Sequence, residues 1–160
     1  MKGVIIKMTI SEHKIVDTKH LTRLPMNDIE VEQIVIASLI KFDSLRDNIN
    51  RLDIEDFYND TNKQVYNDIK AMIDSGNADF DIQAVPFKTL ELVNYYTRPD
   101  ILKSKFDHYY KRLKKLSNLR KLERIAYNIE IACREDNNDI DIRNKYLNEI
   151  TDIKPFDLKD

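Results

Sequence analysis

Glycine is nearly absent from this chain: among 160 residues there are only Gly3 and Gly76. A phosphate-binding loop of the Walker type needs two glycines five residues apart, and a dinucleotide-binding fingerprint needs three. The sequence therefore excludes a P-loop ATPase site and a Rossmann cofactor site. Because no nucleophile, base or metal set appears elsewhere in a catalytic pattern, we expect a non-enzymatic protein that uses no cofactor.

Cysteine is limited to Cys133, which excludes an internal disulfide. Its place on an apolar helix face predicts a buried structural thiol rather than a reactive one. None of the three histidines lies at a ligand spacing from Cys or another His, so we expect no metal site. No apolar run approaches the roughly 18 residues of a membrane span, and the N-terminal apolar run is too short for a signal peptide. We expect a cytoplasmic protein.

The scarcity of glycine and proline, combined with abundant Leu, Ile, Lys, Asp and Glu, predicts an all-α protein. Prolines and polar clusters divide the chain into four predicted parts. Residues 1–24 form an N-terminal extension, either a loose tail or one strand that docks elsewhere. A small helical head spans 25–98, a long helical hairpin spans 99–154, and residues 155–160 form a terminal stub or linker.

Within the head, Asn27 followed by Glu30 resembles a capping box, which predicts a central, well-buried helix from about Asp28 to Lys41. The connector that follows a second short helix is expected to present Phe57 and Tyr58 to the core. A third helix should end at Gly76, and a fourth should begin at Pro86.

The stretch 103–124 is strongly basic: nine Lys and Arg residues against two acidic ones give +7, in a chain whose net charge is −2. Such a one-signed run is either a solvated helix face or a site for a polyanion or an acidic partner. The ligand stays open between nucleic acid, the acidic remainder of the same chain and an acidic neighbouring subunit. The candidate contact residues are Lys103, Lys105, Lys111, Arg112, Lys114, Lys115, Arg120 and Lys121.

The same stretch carries apolar residues at steps of three and four, which predict one long helix that opens at Pro99 or Asp100 and covers at least 106–129. A second arm over about 140–153 should fold back on it. Two successive steps of three, from Leu116 to Leu122, turn the apolar stripe, so the two halves of the helix should face different neighbours. The shorter arm cannot cover both stripes. The residues predicted to pack in the hairpin or between subunits are Tyr109, Tyr110, Leu113, Leu116, Leu119, Leu122, Ile129, Tyr146 and Ile150.

An ordered set of short motifs resembles the N-terminal domain of DnaB-type replicative helicases over roughly residues 25–153. The set departs from the family at Ile36-Ala37, where the family has Leu-Gly, and in a shortened region between Asp81 and Phe106. The motifs are Pro25-x-Asn27, Glu32-Gln33-x-Val35-Ile36-x-Ser38-Leu39-Ile40, Asp56-Phe57-Tyr58 with Asn62, Tyr66 and Ile69, Gly76 with Asp81, Tyr109-Tyr110-Lys111-Arg112-Leu113 and Leu119-Arg120-Lys121-Leu122.

The resemblance implies a non-catalytic module whose hairpins pair between subunits, as a dimer or within a higher ring. In that family the domain docks primase or a helicase loader. The chain is then either part of a replicative helicase or a stand-alone protein of a phage or mobile element that binds a host helicase as loader, adaptor or inhibitor. A third interpretation is a helical protein that binds nucleic acid, with DNA as a candidate ligand. No membrane partner is expected.

Overall fold

A computed structural model describes residues 27–76, 98–135 and 138–155. Every element in these ranges is helical, which confirms the all-α prediction for this part of the chain. The predicted N-terminal extension and the helix predicted to begin at Pro86 lie outside it. The α-helices are α1 (Ile29–Lys41), α2 (Asp60–Asp74), α3 (Phe106–Arg134) and α4 (Asp139–Asp152), with 3-10 helices at Asp43–Arg51, Ile54–Asp56 and Lys103–Lys105.

Helix α1 lies at the centre of the head and is enclosed on nearly every side. Nine of its 13 residues are buried, from Val31 to Ile40 with the exception of Gln33. Its N-cap is Asp28, whose carboxylate accepts from the Val31 amide at 3.2 Å, so the predicted cap at Asn27 was wrong by one residue. The predicted central position of the helix follows from its apolar residues, which spread over more than one stripe.

The head core joins α1 to the 3-10 helix Asp43–Arg51, to α2 and to the first turns of α3. Phe57 is buried and its ring centroid lies 5.0 Å from that of Tyr66. Tyr58, which we predicted to face the core, is 54% exposed. Phe57 has an extended backbone, and successive side chains of an extended segment point in opposite directions. Gly76 follows α2 with a φ of +76°, as predicted for the glycine that ends a helix.

The long helix α3 begins at Phe106 rather than at Pro99 or Asp100, because a turn at 99–100 and a short 3-10 helix come first. It contains 29 residues, and the prediction of one helix over at least 106–129 is confirmed. Helix α4 folds back along it: the Asn118 amide donates to the Lys154 carbonyl at 3.0 Å. In the part of the chain that the structure covers, no helix has both the length and the apolar character needed to cross a membrane.

The two halves of α3 have different surroundings. Phe106, Tyr110 and Leu113 belong to the head core, whereas residues beyond Ile125 contact solvent and α4. This division falls where two consecutive steps of three turn the apolar stripe. Cys133, near the end of α3, is exposed, so the predicted burial of this thiol was wrong. Its side of the helix is not the side that α4 covers.

Candidate functional site

A buried glutamate organises the connector between α1 and α2. Glu32 lies among apolar residues of α1 and is almost completely buried. Its carboxylate accepts from the backbone amides of Tyr58 at 2.6 Å and Asn59 at 3.3 Å, and from the side-chain amide of Asn62 at 2.8 Å. A buried carboxylate is costly unless its oxygens are hydrogen-bonded, and these three donors satisfy it. Glu32 therefore fixes where the connector enters α2.

A second buried carboxylate, Asp56, attaches the connector to α3. Its oxygens accept from the Lys114 ammonium at 2.7 Å, the Ser117 hydroxyl at 2.7 Å and the Asp53 amide at 2.9 Å. The side chains of Asp56 and Ser117 are fully buried. Lys114 and Ser117 are three residues apart, so they project from one side of α3. We call this cluster of Asp56, Lys114 and Ser117 the junction.

Arg120 extends the junction by one more turn of α3. Its guanidinium donates to the backbone carbonyls of Asp56 at 2.7 Å and Glu55 at 3.4 Å. It also lies 5.9 Å from the centre of the Tyr58 ring. Desolvation by burial lowers the pKa of Arg120, and the nearby carboxylates of Glu32, Asp56 and Glu55 oppose that effect. Arginine still carries its charge at neutral pH, so this group is a permanent cation against the head.

The predicted basic residues fall into two groups. Lys114 and Arg120 contact the head at the junction, and Arg112 pairs with Asp28 at 3.3 Å on the more exposed surface. These contacts use the acidic part of the same chain, one of the three ligands that the sequence left open. The remaining predicted cations are partly or largely exposed: Lys103, Lys105, Lys111, Lys115 and Lys121.

The predicted apolar residues also divide. Tyr110, Leu113 and Leu116 are buried, as is Tyr146 of α4, and Tyr109 packs partly buried against the head core. Ile129 is half-buried, whereas Leu119, Leu122 and Ile150 are exposed by 39%, 40% and 41%. Their assignment to self-association stays a prediction.

Five residues of α3 form a continuous apolar line that we call the outer stripe: Leu119, Leu122, Ala126, Ile129 and Cys133. They follow one another at steps of three, four, three and four, the heptad spacing that packs one helix against another. Helix α4 meets a different side of α3, where Asn128 and Ala132 share a depression with Ile142 and Tyr146. Four of the five residues of the outer stripe are exposed, and Ile129 is half-buried.

Sequence reasoning missed the long-range contacts of Glu32 and Asp56. Asp56 does take part in a cap at Asp53, but it also holds Lys114 and Ser117 of a helix about 60 positions later in the chain. An ionisable residue placed inside an apolar helix face, as Glu32 is, was the available signal, because such residues are rarely buried without partners.

The segment that contains Glu32 and Asp56 is also the one that matches a known protein family. Residues 24–86 match the family model of the DnaB-like helicase N terminal domain. This DnaB-like segment covers α1, the connector and α2, and it ends before α3, so the resemblance noted above is confirmed here and stays a prediction for the hairpin. A search of curated proteins found no match to the chain. Over these residues the chain is similar to the N-terminal domain of DnaB-like helicases.

Proposed function

We propose that this chain is a non-catalytic interaction module of the replication machinery that self-associates through its hairpin and docks primase, a helicase loader or a full-length helicase. The outer stripe is the observation that carries the proposal. Its heptad spacing fits a partner helix, and Leu119 and Leu122 expose about two-fifths of their surface. A contiguous apolar line of this kind favours association over exposure to water.

Helix α4 adds to the same argument. Ile140, Leu147 and Ile150 are all exposed, at spacings of seven and three that place them along one side of α4. Only Tyr146 of this helix is buried. A two-fold dimer, in which the same surface of each copy meets the other, would cover both helices at once. The resemblance to the helicase domain indicates the same mode of pairing.

Lysine substitutions in the outer stripe test self-association. Leu119→Lys and Leu122→Lys should each give a folded monomer. Both side chains reach solvent in the single chain, so a lysine there leaves the fold intact, but it would be buried between two copies and so prevent their association. Leu102→Lys is the matched control: Leu102 is 46% exposed but precedes α3 and lies outside the outer stripe. Light scattering after size exclusion measures mass, and circular dichroism measures helix content. An unchanged mass in both stripe variants would contradict the assignment of the interface.

The docking partner is tested separately. The chain is mixed with the helicase and the primase of the same source, in pairs and together, and run on a sizing column. Co-elution with primase supports a helicase-type module, whereas co-elution with the intact helicase alone supports a stand-alone loader, adaptor or inhibitor. Failure to bind either protein would contradict the docking part of the proposal and leave self-association unaffected.

A further inference from the structure

Two depressions meet on the side of α3 away from the outer stripe, and both are lined by Lys121 and Arg124. The larger, of about 920 Å³, lies between the 3-10 helix Asp43–Arg51, α3 and the C-terminal end of α4. The smaller, of about 190 Å³, adjoins the connector and the first turn of α2. Because Lys121 and Arg124 line both depressions, we treat the two as one surface of α3 and call it the path.

The path is basic although the whole chain carries a net charge of −2. The smaller depression is lined by Lys63, Arg120, Lys121 and Arg124 against the single carboxylate of Glu55. In the larger depression six cations face three carboxylates, and one of the six, Lys114, is neutralised by Asp56. Within the described ranges, Lys63, Lys121 and Arg124 form no ion pair. These three charges are available to an anionic ligand.

An aromatic ring lies at one end of the path. Tyr58 lines the smaller depression, is 54% exposed and sits beside the Arg120 guanidinium. Its backbone is fixed by Glu32, so the ring is held on a stable support. Positive grooves that carry an exposed aromatic side chain are the usual means of binding single-stranded nucleic acid, in which phosphates meet the cations and a base stacks on the ring.

We infer that this path binds single-stranded nucleic acid, with Lys63, Lys121 and Arg124 contacting phosphates and Tyr58 stacking on a base. An acidic peptide would use the same cations but would gain little from the exposed ring, which therefore favours the nucleic acid. This site is distinct from the outer stripe and goes beyond the proposed association function. It uses Lys121 of the predicted basic residues and adds Tyr58, Lys63 and Arg124.

Fluorescence anisotropy with labelled 20-nucleotide oligothymidine and oligouridine tests the inference. Binding should weaken with salt at a log–log slope near −0.7 per neutralised phosphate. The variant Lys121→Glu with Arg124→Glu should lose about ten-fold or more in affinity. Tyr58→Ala keeps every charge and should lose about five-fold or more, since stacking on one base contributes about 1–3 kcal/mol. The matched control, Lys103→Glu with Lys105→Glu, makes the same charge change outside the path and should stay within about two-fold.

Three results would overturn the inference. One is the absence of oligonucleotide binding by the wild-type chain at low salt. Another is an equal loss in the Lys103 and Lys105 control, which would reduce the effect to overall charge. The third is full affinity in Tyr58→Ala together with equally tight binding of poly-glutamate, which would assign the path to an acidic protein partner. Circular dichroism of each variant confirms that the helices are retained.

Discussion

Replacing Asp56 with alanine should weaken the attachment of the hairpin to the head. The carboxylate is fully buried and accepts from three donors, the nearby Asp53 amide and two side chains of the distant helix α3. Its removal leaves the Lys114 ammonium, whose side chain is only 21% exposed, without its anionic partner. It also leaves the buried Ser117 hydroxyl without an acceptor.

The expected cost follows from these contacts. Breaking a buried ion pair by removing one partner typically costs about 3–5 kcal/mol, because the other charge stays desolvated. Lys114 retains some access to water and a contact with the Arg51 carbonyl at 3.4 Å, so we expect the lower half of that range. The unsatisfied Ser117 hydroxyl adds to it. Asp56→Ala should therefore lower the free energy of unfolding by at least about 3–4 kcal/mol.

Urea denaturation followed by circular dichroism measures this loss, and a double-mutant cycle isolates the pair. Lys114→Met alone should also destabilise, since it leaves Asp56 buried with fewer donors. The double variant Asp56→Ala with Lys114→Met should cost less than the sum of its two single substitutions. Glu123→Ala, which removes an exposed carboxylate of α3, is the control and should stay within about 0.5 kcal/mol. A loss below about 1 kcal/mol for Asp56→Ala, or additive single effects, would refute the junction.

Three further outcomes are expected, each measured by urea denaturation. Glu32→Gln should cost about 2–3 kcal/mol, because the glutamine amide has one acceptor for three donors; a loss under 1 kcal/mol would contradict this role. Leu113→Ala should cost about 2–5 kcal/mol, whereas the same change at exposed Leu119 should cost far less in the monomer; equal losses would refute the division of α3. Burial raises the pKa of Tyr66 above its ordinary 10.0. The contribution of the neutral phenol to the free energy of unfolding is therefore fully present below pH 10.0, and it declines as pH rises through the higher folded-state pKa. Tyr66→Phe should flatten that alkaline decline, and an unchanged decline would assign it to other groups.

The helices themselves were largely predictable from the sequence, because they depend on local features. Apolar spacing located α1 and α3, and Gly76 ended α2 where its positive φ was needed. The start of α3 was not predictable from Pro99, since a turn and a 3-10 helix intervene before Phe106. The exposure of Cys133 was missed because spacing shows that an apolar face exists but not which neighbour covers it.

The junction shows a second limit of sequence reasoning. Lys114 and Asp56 are 58 positions apart, and no local pattern relates them. The basic stretch could be recognised as one that needs acidic partners, but only the fold distinguishes the cations held by the head from those left on the surface. The heptad spacing of the outer stripe, in contrast, can be read directly from the sequence.

Sedimentation equilibrium of the wild-type chain, at concentrations from low to high micromolar, tests the central claim of self-association most directly. The chain has a mass of 19.0 kDa, and pairing through the outer stripe predicts a mass that rises with concentration to twice that value. Assembly into a larger ring would raise the mass further. A constant mass of 19.0 kDa up to the highest concentration would contradict self-association through the hairpin.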